Sequence, residues 1–177
     1  FCYSNEIINF PKKYSSKIQL IDPLLRKEFY LIKSSVKKEI DSVINLLIIG
    51  GSQGAKVFDN ELKKAIIDIS KRYKLNIYQQ TSSINNKNLE DFYNQNNIRY
   101  QLFNFEENVL KFIGNANLCI TRAGASTLAE LTFLNIPYLT IPYPLAKDDH
   151  QLRNALFYKN QNCCWLLKQD ELNDEVL

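Results

Sequence analysis

The chain has 177 residues, 45% of them apolar and 23% charged, the composition of a globular domain large enough to bury a core. Its 22 Lys and Arg against 19 Asp and Glu leave a net charge of +3, and the scattered cations exclude a basic nucleic-acid face. No apolar run approaches the roughly 20 residues of a membrane-spanning helix, and no segment reads as a signal peptide.

Residues 1–43 contain short apolar bits, two prolines and many charges, and are expected to be the tail of a preceding domain followed by a linker. The sequence has no Met, and "QDELNDEVL" at its end begins a helical pattern, so a piece of a longer protein is expected. From residue 44 the pattern alternates. Ile44–Ile49 reads as a strand buried on both faces, followed by "GGSQG" and a helix over 55–73. Further strands are predicted at 75–80, 100–105, 118–121, 138–141 and 163–167, with helices at 88–96, 107–113, 126–134 and 149–159. This rhythm predicts an α/β fold with a doubly wound parallel sheet, its crossovers right-handed. Cys2, Cys119, Cys163 and Cys164 lack a C-x-x-C spacing. Reduced cytosolic thiols are expected, with Cys163 and Cys164 in a buried strand.

In such a sheet ligands sit at the carboxyl ends of the strands, so the strand-to-helix turns carry the chemistry. The first turn of interest is "GGSQGA", Gly50–Ala55. Its glycines let backbone N–H groups approach a phosphate beside a helix N-terminus, but it is neither a G-x-G-x-x-G fingerprint nor a P-loop. A tight βα turn explains it equally. The second is "TRAGASTLAEL", in which Ala125, Ser126 and Thr127 form a first helical turn whose N–H groups face any ligand. Ser126 or Thr127 is alternatively an N-cap. Glu130, one turn on, is suited either to a ribose diol or to an ion pair with Arg122. The third is "IPYPLAKDDHQLRNA", where Asp148 or Asp149 is placed to cap a helix that carries His150 and Gln151 on its first turn. His150 is the chain's one imidazole, and a lone His there is a polar contact residue more readily than a base. No cluster of carboxylate, His or Cys has metal-ligand spacing, so no metal and no cofactor is expected.

The three turns together resemble the MurG family, the bacterial glycosyltransferases that make lipid II, in register from about Ile21 to Trp165. The resemblance implies the C-terminal, donor-binding half of a GT-B enzyme with two Rossmann-like domains. Residues 1–22 would be the remnant of the N-terminal acceptor domain, 23–43 the interdomain linker and 44–177 the donor-binding domain. It implies donor-diphosphate contacts from Ser52 and from the backbone of Ala125, Ser126 and Thr127. Glu130 would hold the uridine ribose, Gln151 would read the N-acetylglucosamine hydroxyls with His150 beside it, and Phe105 and Glu106 would pack on uracil. Arg26 aligns with a family Arg, although Ile-Asp stands here where the family has Gly-Asn. The partners implied are UDP-N-acetylglucosamine, lipid I through the other domain, and peripheral contact with the cytoplasmic face of the bacterial inner membrane; the catalytic base belongs to the other domain. Two alternatives remain: another GT-B enzyme or sugar-nucleotide epimerase with a different UDP-sugar, and a binding module without chemistry.

Overall fold

A computed structural model of the chain describes residues 10–32, 42–51, 56–81, 86–104 and 109–172. The strands are β1 (Val43–Ile49), β2 (Lys74–Gln80), β3 (Arg99–Phe103), β4 (Leu118–Thr121), β5 (Tyr138–Thr140) and β6 (Trp165–Leu166). The helices are α1 (Lys27–Ile32), α2 (Lys56–Glu61), α3 (Lys63–Ser70), α4 (Lys87–Gln95), α5 (Leu110–Asn115), α6 (Ala125–Phe133) and α7 (His150–Asn160). The sheet runs β3-β2-β1-β4-β5-β6 with every neighbouring pair parallel. This is the doubly wound order, in which the direction of winding reverses between β1 and β4.

β1 shows why the sheet sits where it does. Ile44, Leu46 and Ile48 point into one core with Phe58, Ile66, Leu89 and Tyr93 of α2, α3 and α4 and with Leu62 between α2 and α3. Leu47 and Ile49 point into the other, with Phe112, Leu128, Leu131 and Tyr158 of α5, α6 and α7. Alternate residues of a strand face opposite ways, so an uninterrupted apolar run is what a two-sided core requires. Full burial of each such side chain contributes about 1.5–3 kcal/mol. Phe29 of α1, within the segment expected as a linker, is fully buried in the second core.

Three helices end on Asn where Gly is the usual choice. Asn97, Asn135 and Asn162 have φ near +55°, at 53°, 54° and 57°. After each, the next residue donates back five positions: Ile98 to Tyr93 O, Ile136 to Leu131 O and Cys163 to Tyr158 O, each at 3.0 Å. These are Schellman closures, and Asn is the side chain that best tolerates the left-handed conformation. The Asn enrichment of the chain, which carries no functional signal, is in part helix termination.

Two sequence expectations are corrected. The helix predicted over 55–73 is two helices, α2 and α3, interrupted at Leu62, whose φ of −83° keeps it right-handed. The strand predicted over 163–167 is the two-residue edge strand β6. Cys163 is still engaged in closing α7, neither Cys163 nor Cys164 is buried, and Trp165 is 62% exposed. Among the described residues no helix is long and apolar enough to cross a membrane.

Candidate functional site at the switch point

The tips of β1 and β4 meet where the winding reverses, with the Arg122 N–H donating to Ile49 O at 3.1 Å. A crevice at this place is the expected ligand site of an open α/β sheet. On the β1 side the chain leaves through Gly51, at φ 81°, a conformation that favours glycine. Its N–H donates to Gln80 Oε1 at 3.0 Å. Ser52 lies outside the described residues, as do Phe105 and Glu106.

On the β4 side Gly124 occupies the N-cap position of α6, and no side chain caps the helix. The expectation that Ser126 or Thr127 serves as N-cap is therefore corrected: α6 already includes Ala125. Leu128 N–H makes the first helical bond, to Gly124 O at 3.0 Å. The N–H groups of Ala125, Ser126 and Thr127 precede that bond and have no partner within the helix. They form a positive helix end at the crevice.

Glu130 is buried on α6, and its Oε1 accepts from Arg26 Nε at 3.2 Å and lies 3.1 Å from the Arg26 Nη2. No described residue bonds its Oε2. Burial pushes the Glu130 carboxyl up, against the opposing pull of the Arg26 charge and hydrogen bond. Arg122 takes no part in this pair, which corrects the other alternative. Its buried guanidinium donates to Ile141 O at 3.1 Å, Pro142 O at 3.3 Å and Gln169 Oε1 at 2.6 Å, stacked near the Phe58 and Tyr143 rings. Arg122 thus fastens the exit of β5 to the turn at Gln169–Glu171.

The third turn is tied to the second by α7. Gln151 Oε1 accepts from the N–H groups of Ala123 (3.2 Å) and Tyr143 (2.9 Å), and Asn154 Nδ2 donates to Ala123 O at 3.0 Å. Both backbone polar groups of Ala123 are therefore held by side chains one turn apart on α7. The Gln151 Nε2 has no partner among the described residues and remains available as a donor. His150 is exposed, its Nδ1 2.8 Å from Lys147 O. Asp149 stands at the N-cap position of α7 but makes no side-chain cap, because it and Asp148 are both left-handed, at φ 52° and 53°. The predicted aspartate cap is corrected accordingly.

Sequence reasoning missed Gln80, Asn154 and Gln169. The spacing of Gln151 and Asn154, three apart on one helix face, was a signal for the second. Gln80, at the end of a strand of alternating polar and apolar residues, had a weaker one. Gln169 had none. Among the described residues no group of three or more His, Cys, Asp or Glu is placed to hold a metal ion.

Residues 45–177 match the glycosyltransferase family 28 C-terminal domain. The chain belongs to that family. Among its relatives is the UDP-N-acetylglucosamine--N-acetylmuramyl-(pentapeptide) pyrophosphoryl-undecaprenol N-acetylglucosamine transferase of Pelagibacter ubique (strain HTCC1062). It is 55% identical over 177 residues, covering 100% of this chain and 49% of the relative. The transferase of the same name from Rickettsia bellii (strain RML369-C) is 35% identical over 174 residues, covering 96% of this chain and 49% of the relative. The crystal structure of Acinetobacter baumannii MurG superposes with a TM-score of 0.66 at 30% identity, over 80% of this chain and 40% of that one. The chain thus spans about half the length of the curated relatives it matches.

Proposed function

We propose that this chain is the donor-binding half of an inverting glycosyltransferase that moves N-acetylglucosamine from UDP-N-acetylglucosamine to lipid I, forming lipid II. The observation that carries this reading is the pairing, on one helix, of an uncapped N-terminus with a buried carboxylate. The N–H groups of Ala125, Ser126 and Thr127 are suited to a diphosphate, and Glu130 to a ribose diol. The relatives, whose name states this transfer, support it. Ser52 joins the diphosphate contacts, Phe105 and Glu106 receive uracil, Gln151 reads the sugar through Nε2 with His150 beside it, and Arg26 orients Glu130 at the rim.

In the reaction the acceptor's 4-hydroxyl oxygen bonds to the anomeric carbon, the bond from that carbon to the diphosphate oxygen breaks, and UDP departs with the electron pair. The hydroxyl proton passes to a base on the part of the longer protein that this chain does not span. The helix end at Ala125 stabilises the charge that gathers on the leaving diphosphate, its dipoles already oriented. In this proposal the protein lies on the cytoplasmic face of the bacterial inner membrane, bound peripherally through its other half. Calorimetric titration with UDP-N-acetylglucosamine, UDP-glucose and UDP tests the donor assignment. Preference for the N-acetyl sugar supports it, and equal affinity for both sugars points to an enzyme with a different donor.

A further inference from the structure

The end of the sheet opposite the crevice carries a second concavity. The amino ends of β2 and β3 and the carboxyl ends of α3 and α4 border an open cavity of about 420 Å³. Lys71, Arg72, Lys74 and Arg99 line it, with Tyr73 and Asn97 between them, and no Asp or Glu does. Parallel pairing of β2 with β3 gathers these cations. Arg99 is the register partner of Asn76, and Lys74 stands two residues earlier on β2. Two residues of strand and one strand spacing put the Lys74 and Arg99 Cα atoms roughly 8 Å apart. That is about one Debye length at physiological salt, so both charges act on an ion held between them. The backbone under them is fixed. Arg72 and Tyr73 N–H both donate to Ile69 O, at 3.0 and 2.9 Å, and Ile98 N–H donates to Tyr93 O at 3.0 Å.

Helix ends explain only part of the cluster. Cations that follow a helix offset its negative carboxyl end, which accounts for Lys71 and Arg72 after α3. Lys71 is also engaged by Asp68, Nζ to Oδ1 at 2.6 Å. Lys74 and Arg99 open strands, where the net dipole is small. Both are exposed, and no described residue pairs with either of them or with Arg72. A concave surface lined by one sign of charge focuses its field on an ion of the other sign. We propose that this cavity is a binding site for a phosphate-bearing anion, either a free polyphosphate or the phosphate of a lipid headgroup. The guanidinium forks of Arg72 and Arg99 match paired phosphate oxygens, and Lys74 adds a point charge. The Tyr73 hydroxyl and the Asn97 amide, without partners among the described residues, supply neutral donors. The site lies at the other end of the strands from the N-terminus of α6 and shares no residue with the crevice, so it does not rest on the proposed function.

The test follows backbone amide signals by NMR as sodium tripolyphosphate is titrated into the chain at constant ionic strength. Shifts are expected at Lys74, Ile98 and Arg99. They are read separately from any at Ala125, Ser126 and Thr127, where a helix end also attracts phosphate. The double variant Lys74→Gln with Arg99→Gln is expected to weaken binding at the cavity about fivefold or more, the scale of two exposed charge contacts. The exchanged pair Lys74→Arg with Arg99→Lys keeps both charges and is expected to stay within about threefold of the unmodified chain. Lys87→Gln removes one charge at the opposite end of α4 and is expected to stay within about twofold. Co-sedimentation with phosphatidylglycerol vesicles, against phosphatidylcholine vesicles as the neutral control, gives the lipid arm. Weakened tripolyphosphate binding in the double variant supports the site with free phosphate as a ligand, and weakened vesicle binding alone supports it with the headgroup. No response at Lys74 and Arg99 together with no vesicle binding overturns the site. So does binding that the double variant leaves unchanged, or that Lys87→Gln weakens as much.

Discussion

Glu130 and Arg26 stand 104 positions apart in sequence and meet as an ion pair at 3.1 Å. The Arg26 side chain is 48% exposed and that of Glu130 8%, so the pair joins a solvent-facing cation to a buried carboxylate. An ion pair with one partner in solvent contributes about 0–1 kcal/mol to stability. Its position says more than its strength: it engages one carboxylate oxygen, Oε1, and leaves Oε2 without a bond to any described residue. Arg26 also stacks near the Phe29 ring, 4.9 Å from its centroid, which anchors the segment before α1 to the same place.

Replacing Glu130 by Ala is expected to weaken UDP by roughly one to two decades, the value of hydrogen bonds to a charged group at about 1.5–3 kcal/mol. The melting temperature should fall only slightly, since the ion pair is weak. Calorimetry and thermal unfolding on the same sample separate the two roles. A large drop in melting temperature with unchanged UDP affinity would make Glu130 structural.

The acid limb of binding follows from the same residue. Burial raises the Glu130 carboxyl above its ordinary value of 4.5. A raised carboxyl favours the folded state most when protonated, so its contribution to stability is present at low pH and fades as pH rises through the folded-state value. Ligand affinity runs the other way if, as in the proposed function, the ionised form binds the ribose. UDP affinity is therefore expected to fall on acidification from a pH higher than an ordinary glutamate would give, with Glu130→Gln flattening that limb. An identical acid limb in Glu130→Gln would assign the titration elsewhere.

Gln151→Ala removes two things at once: the brace on Ala123 and Tyr143 through Oε1, and the donor Nε2. Asn154→Ala removes only a brace on Ala123. Asn154→Ala is thus expected to weaken UDP and UDP-N-acetylglucosamine equally, and Gln151→Ala to weaken the nucleotide sugar by a further tenfold or so, about one hydrogen bond. Equal losses in both variants would take Gln151 off the sugar.

The contrast between Arg122 and Glu130 shows what the sequence made legible. The strand-helix alternation, the apolar run of β1 and the placement of the three turns followed from local pattern, and the parallel sheet agrees with them. Which charge pairs with which did not, because Glu130 finds Arg26 across 104 positions and Arg122 finds Gln169 across 47. Such pairs are set by packing of distant elements, and no periodicity encodes them. The start of the last strand was misread for a related reason: Asn162 stops α7 as Gly does, so Cys163 still belongs to the closing turn. Gly124 had the opposite effect. A residue with no side chain at the cap left two nearby hydroxyls as the apparent candidates, and the uncapped helix end showed only in the fold.

Arg122→Met is expected to destabilise the domain by about 2 kcal/mol, since it strands the carbonyls of Ile141 and Pro142, both partly or fully buried, while relieving the desolvation of a cation. For a domain of this size that is a drop of roughly 4–8 °C in melting temperature. Thermal unfolding followed by circular dichroism reads it. A change below about 1 °C would show that the loop after β5 keeps its place without the guanidinium.

The last prediction is that this chain alone does not transfer N-acetylglucosamine to lipid I. Displacement needs the acceptor oxygen held near the anomeric carbon, and such positioning is worth roughly 7–11 kcal/mol of barrier. The curated relatives carry the reaction on chains about twice as long. Here the chain's one histidine, His150, is exposed at the start of α7, with Nδ1 engaged by Lys147 O, and in the proposed function it lies beside the donor sugar. Glu130 is committed to Arg26 and, in the proposed function, to the ribose. Neither is placed to take a proton from an acceptor approaching across an open face. A radiolabelled transfer assay with lipid I, run with this chain, with a Gln151→Ala control and with the full-length Pelagibacter relative, checks the point. Turnover by the relative and none above control by this chain is the expected result. Turnover well above control would place the acceptor site within these 177 residues and overturn the division into two halves.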